Sequence, residues 1–432
     1  MRDIIPYRVG EWLPSDQEQL QTWICALALE ASDETIKLHP VIEDFKNLIE
    51  TDAEVYMLFN LMFTQVPNKP PYNNSPTNKS EIKDYHHMLR MMNVIMTKAP
   101  EFLEIDGQPA GLIGFPINAI LDWPMGTTAG FAAFLNEKVN LHLKKILDEW
   151  GSFLKSPESA YVLTDKSNGW FGSNAFAPNA MPDFETNFKY EPSEPHFGYS
   201  SWDDFFTREF KEGQRPIASP DDDNVIVNAC ESAPYRCAPN VQLRDKFWIK
   251  AQRYSLEHML ANDSLVDTFV GGTVYQAFLS ALSYHRWHSP VSGKVIKTKV
   301  VNGSYYSEPL IEGFANPDGP DPSAPNDSQG YLAEVATRAL IFIEADNPLI
   351  GLICFIAVGM AEVSTCDITV KEGQHISKGD QTGMFHFGGS THCLIFRPES
   401  LLEFDFHGQT PGLKAGNIPI NSKIATVRPR VS

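Results

Sequence analysis

A serine preceded by two glycines is the residue of this chain best suited to unusual chemistry. It lies in the string Gly388-Gly389-Ser390-Thr391, between two apolar runs. Glycine tolerates backbone conformations closed to other residues, so the peptide can bend until the serine oxygen faces the Gly389 carbonyl carbon. Attack there would form an ester, and elimination would leave residue 390 as dehydroalanine and then as a pyruvoyl ketone. The same string is also typical of an ordinary turn, so it needs further context.

Two histidines provide a candidate base for this serine. His285 and His288 lie three positions apart in the string Y-H-R-W-H, residues 284–288. A histidine that titrates near neutrality can take a serine proton as a general base. Two alternatives stay open: the pair could bind zinc if His392 and Cys393 completed the ligand set, or both histidines could be hydrogen-bonded structural residues.

A carboxylate is expected to orient the base, because it can fix the histidine tautomer and stabilise the imidazolium. The candidates are Glu231, Glu344, Asp346 and Glu362. Glu231 is favoured because it ends the hydrophobic run V-I-V-N-A-C, where a strand would deliver it to a site. The spacing alone leaves the other three open.

The elements that must position these residues change type along the chain. Apolar residues recur at helical spacing before residue 160, and the predicted helices cover residues 42–63, 79–96 and 129–154. Residues 164–200 are rich in Asn, Pro, Gly and aromatic residues, which is typical of a boundary loop. From Val225 onward, alternating apolar residues and glycine turns predict short strands.

These patterns predict an α+β protein in two domains. Residues 1–190 form a helical N-terminal domain, and residues 191–432 form a β-rich sandwich or barrel that carries the catalytic residues. The longest uncharged apolar run, Leu349 to Ala361, is too short for a membrane-spanning helix and is predicted to be a buried strand.

Composition narrows the class of partner. The chain has 432 residues, 43% of them hydrophobic, and a formal net charge of -19. That charge argues against nucleic acid and against docking on anionic lipid, since both need a surplus of Lys and Arg. The six cysteines form no C-x-x-C pair and no apolar leader is seen, so we expect reduced cysteines and a soluble, cytoplasmic protein.

Three strings together resemble the phosphatidylserine decarboxylase superfamily. They are W-D-D-F-F-T-R-E-F-K-E-G-Q-R-P-I from Trp202 to Ile217, Y-H-R-W-H-S-P-V-S-G from Tyr284 to Gly293, and F-G-G-S-T around Ser390. They occur in the family's order. The resemblance implies self-cleavage between Gly389 and Ser390, a pyruvoyl group formed from Ser390 as the cofactor, and no need for pyridoxal phosphate or a metal.

The resemblance also implies roles for the other site residues. His288 matches the histidine that acts with the serine in self-cleavage, and His285 matches the histidine of the decarboxylation step. The family's usual aspartate string aligns with A-C-E-S here, so the carboxylate would be Glu231. The leucine usual before G-S-T is replaced by Gly388. The two chains produced by cleavage are expected to stay associated, and a homo-oligomer is left open.

One branch of the superfamily shares the A-C-E-S replacement, a helical N-terminal extension and a similar G-M-F-H-F-G-G-S string. Its members are soluble fungal-type decarboxylases of free aromatic amino acids, above all L-tryptophan. The resemblance therefore implies a small amino acid substrate that forms a Schiff base with the pyruvoyl group. Three alternatives remain: a phosphatidylserine decarboxylase, a serine hydrolase that uses Ser390 and His288 without cleavage, and a lipoyl-type carrier domain.

Overall fold

The fold is that of a computed structural model. It describes residues 13, 17–69, 72–73, 80–105, 108–177, 180–245, 254–315, 328–362, 365–387 and 390–429. Within this part of the chain, antiparallel sheets follow a helical region, so the predicted α+β class is confirmed.

Helices dominate the region before residue 160. The described α-helices are α1 Gln17–Glu30, α2 Pro40–Thr51, α3 Ala53–Gln65, α4 Tyr85–Ile95, α5 Pro116–Met125, α6 Thr128–Leu135, α7 Glu137–Leu154, α8 Phe184–Asn187, α9 Trp202–Phe206, α10 Leu256–Met259 and α11 Gln329–Val335. Short 3-10 helices cover Pro157–Val162, Pro195–Gly198 and Val266–Phe269.

Two of the predicted helices are each divided by a capping residue. Asp52 ends α2 and caps α3, where its side chain accepts hydrogen bonds from the backbone N–H groups of Glu54 and Val55. Asn136 separates α6 from α7 in the same way. Short polar side chains satisfy the free N–H groups of a helix start, so they favour a new helix over a continuous one. The helix predicted at 79–96 covers Tyr85–Ile95 in α4, and Lys79 lies outside the described residues.

Strands form four antiparallel sheets in the described residues. The strands are β1 Glu101–Ile105, β2 Gln108–Ile113, β3 Val225–Val227, β4 Ala233–Ala238, β5 Thr273–Leu279, β6 Arg286–His288, β7 Gly293–Val301, β8 Arg338–Ala345, β9 Leu352–Gly359, β10 Thr365–Ile368, β11 His375–Ile376, β12 Gln381–His386, β13 Ser390–Phe396, β14 Leu401–Phe404 and β15 Lys423–Arg428. The β1–β2 hairpin lies inside the region predicted to be helical.

The largest sheet has seven strands in the order β11-β7-β8-β9-β13-β5-β4. Strand β9 is buried along its whole length, which confirms the buried strand predicted for the apolar run. Strand β13 lies between β9 and β5 and pairs with both over seven residues each. Two three-stranded sheets, β10-β12-β6 and β14-β15-β3, complete the β-rich part.

The chain divides into two compact units. The first contains residues 1–186, 190–205 and 304–328, and the second contains residues 187–189, 206–303 and 329–432. Residues 304–328 thus group with the helices although they follow β7 in sequence; for example, the Tyr305 N–H donates to the Asn140 side chain at 3.1 Å. The domain boundary near residue 190 stays a prediction. None of the described helices is long and apolar enough to cross a membrane.

Candidate active site

Residue 390 is the first residue of β13, in the interior of the seven-stranded sheet. It pairs with Leu279 of β5 on one side and with Gly359 of β9 on the other. Gly388, Gly389 and the Ser390 side chain lie outside the described residues, so the predicted cleavage turn stays a prediction. The backbone immediately after that turn is held by strand pairing on both sides.

The next residue, Thr391, anchors β13 on one face of this sheet. Its hydroxyl donates to the Ala277 carbonyl at 3.0 Å and accepts from the Gln276 side chain at 3.1 Å. Gln276 in turn accepts from the Tyr254 hydroxyl at 2.6 Å. A fully bonded buried network of this kind fixes the position of the strand.

His288 has a hydrogen-bond partner at each ring nitrogen. Its Nδ1 lies 2.8 Å from the Gly379 carbonyl oxygen, and its Nε2 lies 3.0 Å from the Tyr284 hydroxyl. A carbonyl can only accept, so Nδ1 carries the proton and Nε2 accepts from Tyr284. This is the tautomer that a general base acting through Nε2 requires.

Gly379 can adopt the backbone position that brings its carbonyl to His288 because it has no side chain. Its φ is +87°, and a Cβ on this residue would lie 2.3 Å from the Ile217 side chain. Any other residue would be strained there and would displace Ile217, which belongs to the first of the three motif strings.

Burial sets the charge of this pair. It lowers the pKa of His288 to about 4, opposed by the hydrogen bond to Gly379. It also raises the pKa of Tyr284 well above its ordinary value, with a smaller contribution from the charges of Glu209 and Glu231. At neutral pH the imidazole is therefore neutral and the phenol keeps its proton.

Glu231 binds other partners than His288. Its carboxylate, which is buried, accepts two hydrogen bonds from the Arg215 Nε and one from Nη2, at 2.8–3.2 Å. The Asn417 side chain at 3.1 Å and the Ile420 N–H at 2.8 Å complete the set. The loop of Glu231 is nevertheless close to the base, because the His288 N–H donates to the Ala229 carbonyl at 2.9 Å.

An aromatic ring contacts both groups. The Phe210 ring lies 4.3 Å from the Tyr284 ring and 4.8 Å from the Arg215 guanidinium carbon. Within the described residues, Phe210 thus connects the Arg215–Glu231 pair to Tyr284, and the assignment of Glu231 as the triad carboxylate stays a prediction. Of the other carboxylates, Glu344 is exposed, Asp346 pairs with His375 at 2.8 Å, and Glu362 is buried.

His285 lies on the other side of β6. It is fully buried and stacks on the Phe206 ring at 3.9 Å, and its backbone carbonyl accepts from the Phe385 N–H of β12. Burial, and then the neighbouring Arg208 charge, lower the pKa of His285 far below its ordinary value. Side chains alternate along a strand, so residues 285 and 287 share one side of β6 and residues 286 and 288 share the other.

The side of β6 that carries His285 and Trp287 faces the seven-stranded sheet. The Trp287 ring lies 5.6 Å from Phe355 of β9, and Phe355 lies 5.9 Å from the His392 ring of β13. His392 therefore lies on the face of β13 that meets this layer. The side of β6 that carries His285 and Trp287 therefore meets the same aromatic layer as His392, and His288 lies on the reverse side of β6.

The zinc alternative has no support in the described residues, which contain no group of three or more His, Cys, Asp or Glu able to hold a metal ion. Both ring nitrogens of His288 already have partners within the protein. His392 and Cys393 are adjacent on β13, so their side chains lie on opposite faces of the sheet.

Sequence reasoning did not single out Tyr284, Gly379 and Arg215. Tyr284 and Arg215 do lie inside the motif strings, which was the available signal. Gly379 belongs to a glycine turn 91 residues from His288, and no local pattern connects the two.

Comparison with known proteins extends the motif-based resemblance to most of the chain. Family profiles described as phosphatidylserine decarboxylase match residues 39–178 and residues 202–417. The second match contains all three motif strings, and the first covers much of the helical region.

Three fungal proteins are similar over long stretches. Decarboxylase iboD of Amanita muscaria is 46% identical over 303 residues, which are 67% of this chain and 86% of that protein. The L-tryptophan decarboxylases of Psilocybe cyanescens and Psilocybe cubensis are 39% and 35% identical over 440 residues, 98% of this chain and 95% of each protein. The predicted resemblance is confirmed, and the chain belongs to the phosphatidylserine decarboxylase family, in one branch with these fungal decarboxylases.

Proposed function

We propose that this protein is a pyruvoyl-dependent decarboxylase that cleaves itself between Gly389 and Ser390 and removes carbon dioxide from a free aromatic L-amino acid, L-tryptophan first. The observation that carries the proposal is the near full-length similarity to two L-tryptophan decarboxylases. The position of residue 390 at the start of a central strand, in the family's cleavage motif, supports the cofactor assignment.

Maturation begins with the Ser390 hydroxyl. The cleavage turn must reach the His288 side of β6 for this step. His288 then takes the proton at Nε2 while the oxygen attacks the Gly389 carbonyl carbon, and the C–N bond breaks to give an ester with a free amine on residue 390. Loss of the α proton then expels the Gly389 carboxylate and leaves dehydroalanine. Addition of water and loss of ammonia convert it to the pyruvoyl group, so one water is consumed for each ammonia released. Tyr284 must release Nε2 of His288 before the first proton transfer.

The surroundings of residue 390 fit a pyruvoyl group. Pairing with Leu279 and Gly359 leaves the new chain end fixed at the head of β13, and Gly359 places no side chain beside it. When formed, the pyruvoyl ketone supplies an electron sink for the substrate carbon that loses carbon dioxide. No separate binding site is needed for this group, because it is covalently part of β13.

Other residues act on the substrate or on the base. His285, on the same side of β6 as Trp287, takes a proton from solvent and passes it to the substrate carbon after decarboxylation, a reaction that consumes one proton overall. Glu231 supports the base, and the contact geometry favours an action through Tyr284. The layer beside Trp287 is apolar, because its buried ring contacts Phe355 of β9 and Phe385 of β12.

Cleavage would leave a short chain that starts at residue 390. Its strand β13 pairs with β5 and β9, and its strand β15 pairs with β3. All three partner strands belong to the long chain, which supports a stable complex of the two products. The reduced cysteines support a cytoplasmic location, because disulfides persist mainly in oxidising compartments.

A denaturing gel and a carbon dioxide assay test the proposal together. The purified protein should run as a long chain and a short C-terminal chain, and should release carbon dioxide from tryptophan. Activity in a preparation that contains only the full-length chain would refute pyruvoyl chemistry. Release of carbon dioxide from phosphatidylserine vesicles but not from tryptophan would assign the alternative substrate, and hydrolysis of model esters without cleavage would assign a serine hydrolase.

A further inference from the structure

His392 has polar groups without partners in a fully buried position. Its side chain is 0% exposed, and neither ring nitrogen has a hydrogen-bond partner within the residues that the structure describes. Burial lowers its pKa to about 3, so the ring is neutral at physiological pH. A buried donor or acceptor without a partner costs free energy, so such a group calls for a functional explanation.

The environment of His392 is aromatic. Phe355 stacks against the ring at 5.9 Å, and Tyr275 approaches it edge-on at the same centroid distance. The Tyr275 hydroxyl and the Trp287 indole nitrogen are also without partners in the described part of the chain. The residues beside His392 on the neighbouring strands are small: Ala277 on β5 and Ala357 on β9.

The distance from residue 390 decides which part of a substrate His392 can meet. Two positions along a strand correspond to roughly 6.7 Å. A substrate reacts at residue 390 through its amine and α carbon, so its carboxylate and α carbon stay near that residue. The far end of a bicyclic aromatic side chain would reach about as far as His392.

We propose that His392 is a specificity-determining residue whose unprotonated ring nitrogen accepts a hydrogen bond from the ring N–H of an indole substrate. This inference rests on the proposed function and deepens it. A neutral imidazole offers one donor and one acceptor, and an indole N–H is a donor only. Phenylalanine has no such donor, so a site built around this acceptor favours tryptophan.

The test compares tryptophan with phenylalanine in the cleaved enzyme. His392→Leu, which removes the acceptor at similar volume, should lower kcat/KM for tryptophan by roughly 5- to 150-fold, the effect of a buried donor left without a partner. The value for phenylalanine should stay within about 3-fold of the wild type by the same reasoning. His392→Asn, which keeps an acceptor, should recover part of the tryptophan activity. His375→Leu, at an exposed histidine outside this layer, is the matched control and should leave the ratio unchanged.

An equal loss for both amino acids in His392→Leu would overturn the inference. If that variant fails to fold or to cleave, the wild-type enzyme decides: 1-methyltryptophan, which lacks the ring N–H, should have a lower kcat/KM than 5-methyltryptophan, which keeps it. Equal values would overturn the inference. Failure of the wild type to decarboxylate any aromatic amino acid would instead refute the proposed function, so the two failures are distinguishable.

Discussion

The two sides of the short strand β6 differ in how their polar groups are satisfied. On one side His288 has a partner at each ring nitrogen, and Arg286 donates to the Thr207 carbonyl at 2.7 Å. On the other side Trp287 packs among aromatic rings, and its indole nitrogen has no partner among the described residues. On the facing strand β13, the two ring nitrogens of His392 also have no hydrogen-bond partner among the described residues.

This difference separates two kinds of task. In the proposed mechanism His288 acts once, on its own chain, and such a base benefits from a tautomer that the fold sets in advance. Gly379 and Tyr284 set that tautomer for His288. A layer that receives a changing substrate needs hydrogen-bonding capacity that the protein itself leaves unused. The proposals therefore give the two sides of β6 different tasks: the side of His288, called the outer side, holds the base, and the side of His285 and Trp287, called the inner side, meets the substrate.

The largest expected effect comes from removing the Ser390 hydroxyl, on which the proposed roles of both sides of β6 depend. Ser390→Ala should stay a single full-length chain and lose decarboxylation altogether, because no pyruvoyl group can form. Intact mass and a denaturing gel measure the first result, and carbon dioxide release measures the second. Ser377→Ala, at an exposed serine, should behave as the wild type. Cleavage of the Ser390→Ala chain at residue 390 would exclude serine attack.

The outer side of β6 is tested by a pair of substitutions. His288→Ala should slow cleavage by about 10²- to 10⁴-fold, the usual contribution of a positioned acid or base. Tyr284→Phe removes the hydrogen bond that must be released from Nε2 before the proton transfer. It should therefore raise the rate of cleavage by about 2- to 13-fold. The time course of cleavage after synthesis in a cell-free system measures both. If His288→Ala cleaves itself at the wild-type rate, His288 is not the base.

The inner side is tested by the other histidine. His285→Ala should cleave normally and then decarboxylate about 10²- to 10⁴-fold more slowly, since the substrate carbon loses its proton donor. The gel and the carbon dioxide assay, run on the same sample, separate the two steps. Loss of cleavage would instead give both histidines a role in maturation and would end the division of tasks between the two sides.

The role of the buried carboxylate is tested by Glu231→Gln with Arg215→Gln as its match. Both variants break the same ion pair and should lower the free energy of unfolding by about 1.5–3 kcal/mol. Both variants can slow cleavage through the lost stability. If Glu231 also supports His288, cleavage should be slower in Glu231→Gln than in Arg215→Gln. Denaturant unfolding and the cleavage time course supply the two measurements. Equal cleavage rates would remove Glu231 from the maturation machinery.

The smallest effect is a change in acid sensitivity. Burial lowers the pKa of His288 to about 4 and of His392 to about 3, whereas both titrate near 6.5 when unfolded. The unfolded chain therefore binds more protons below pH 6.5, so stability is present above that pH and falls as pH decreases toward 4 and 3.

Melting temperatures at pH 7, 6 and 5 should show this loss. His392→Leu should lose less between pH 7 and 5 than the wild type, because one of the buried histidines no longer titrates. His375→Leu again provides the control. Identical slopes for wild type and His392→Leu would show that the His392 ring is not held neutral by burial.

Local sequence patterns determined much of this protein. The order of the three motif strings predicted the family, which is confirmed, and gave the proposed site residues Ser390, His285 and His288, because each motif is a short stretch of chain. Apolar spacing predicted helices before residue 160 and the buried run that became β9. It did not predict the helix breaks at Asp52 and Asn136, where capping outweighs the apolar pattern, or the β1–β2 hairpin.

Only the tertiary structure decided how the named residues are held. Arg215 lies 16 residues from Glu231, Asn417 lies 186 residues from it, and Gly379 lies 91 residues from His288. A hydrogen bond depends on distance in space, and strand pairing brings together segments that share no local pattern. For the same reason the missing partners of His392 become visible only when every element packed around β13 is in place.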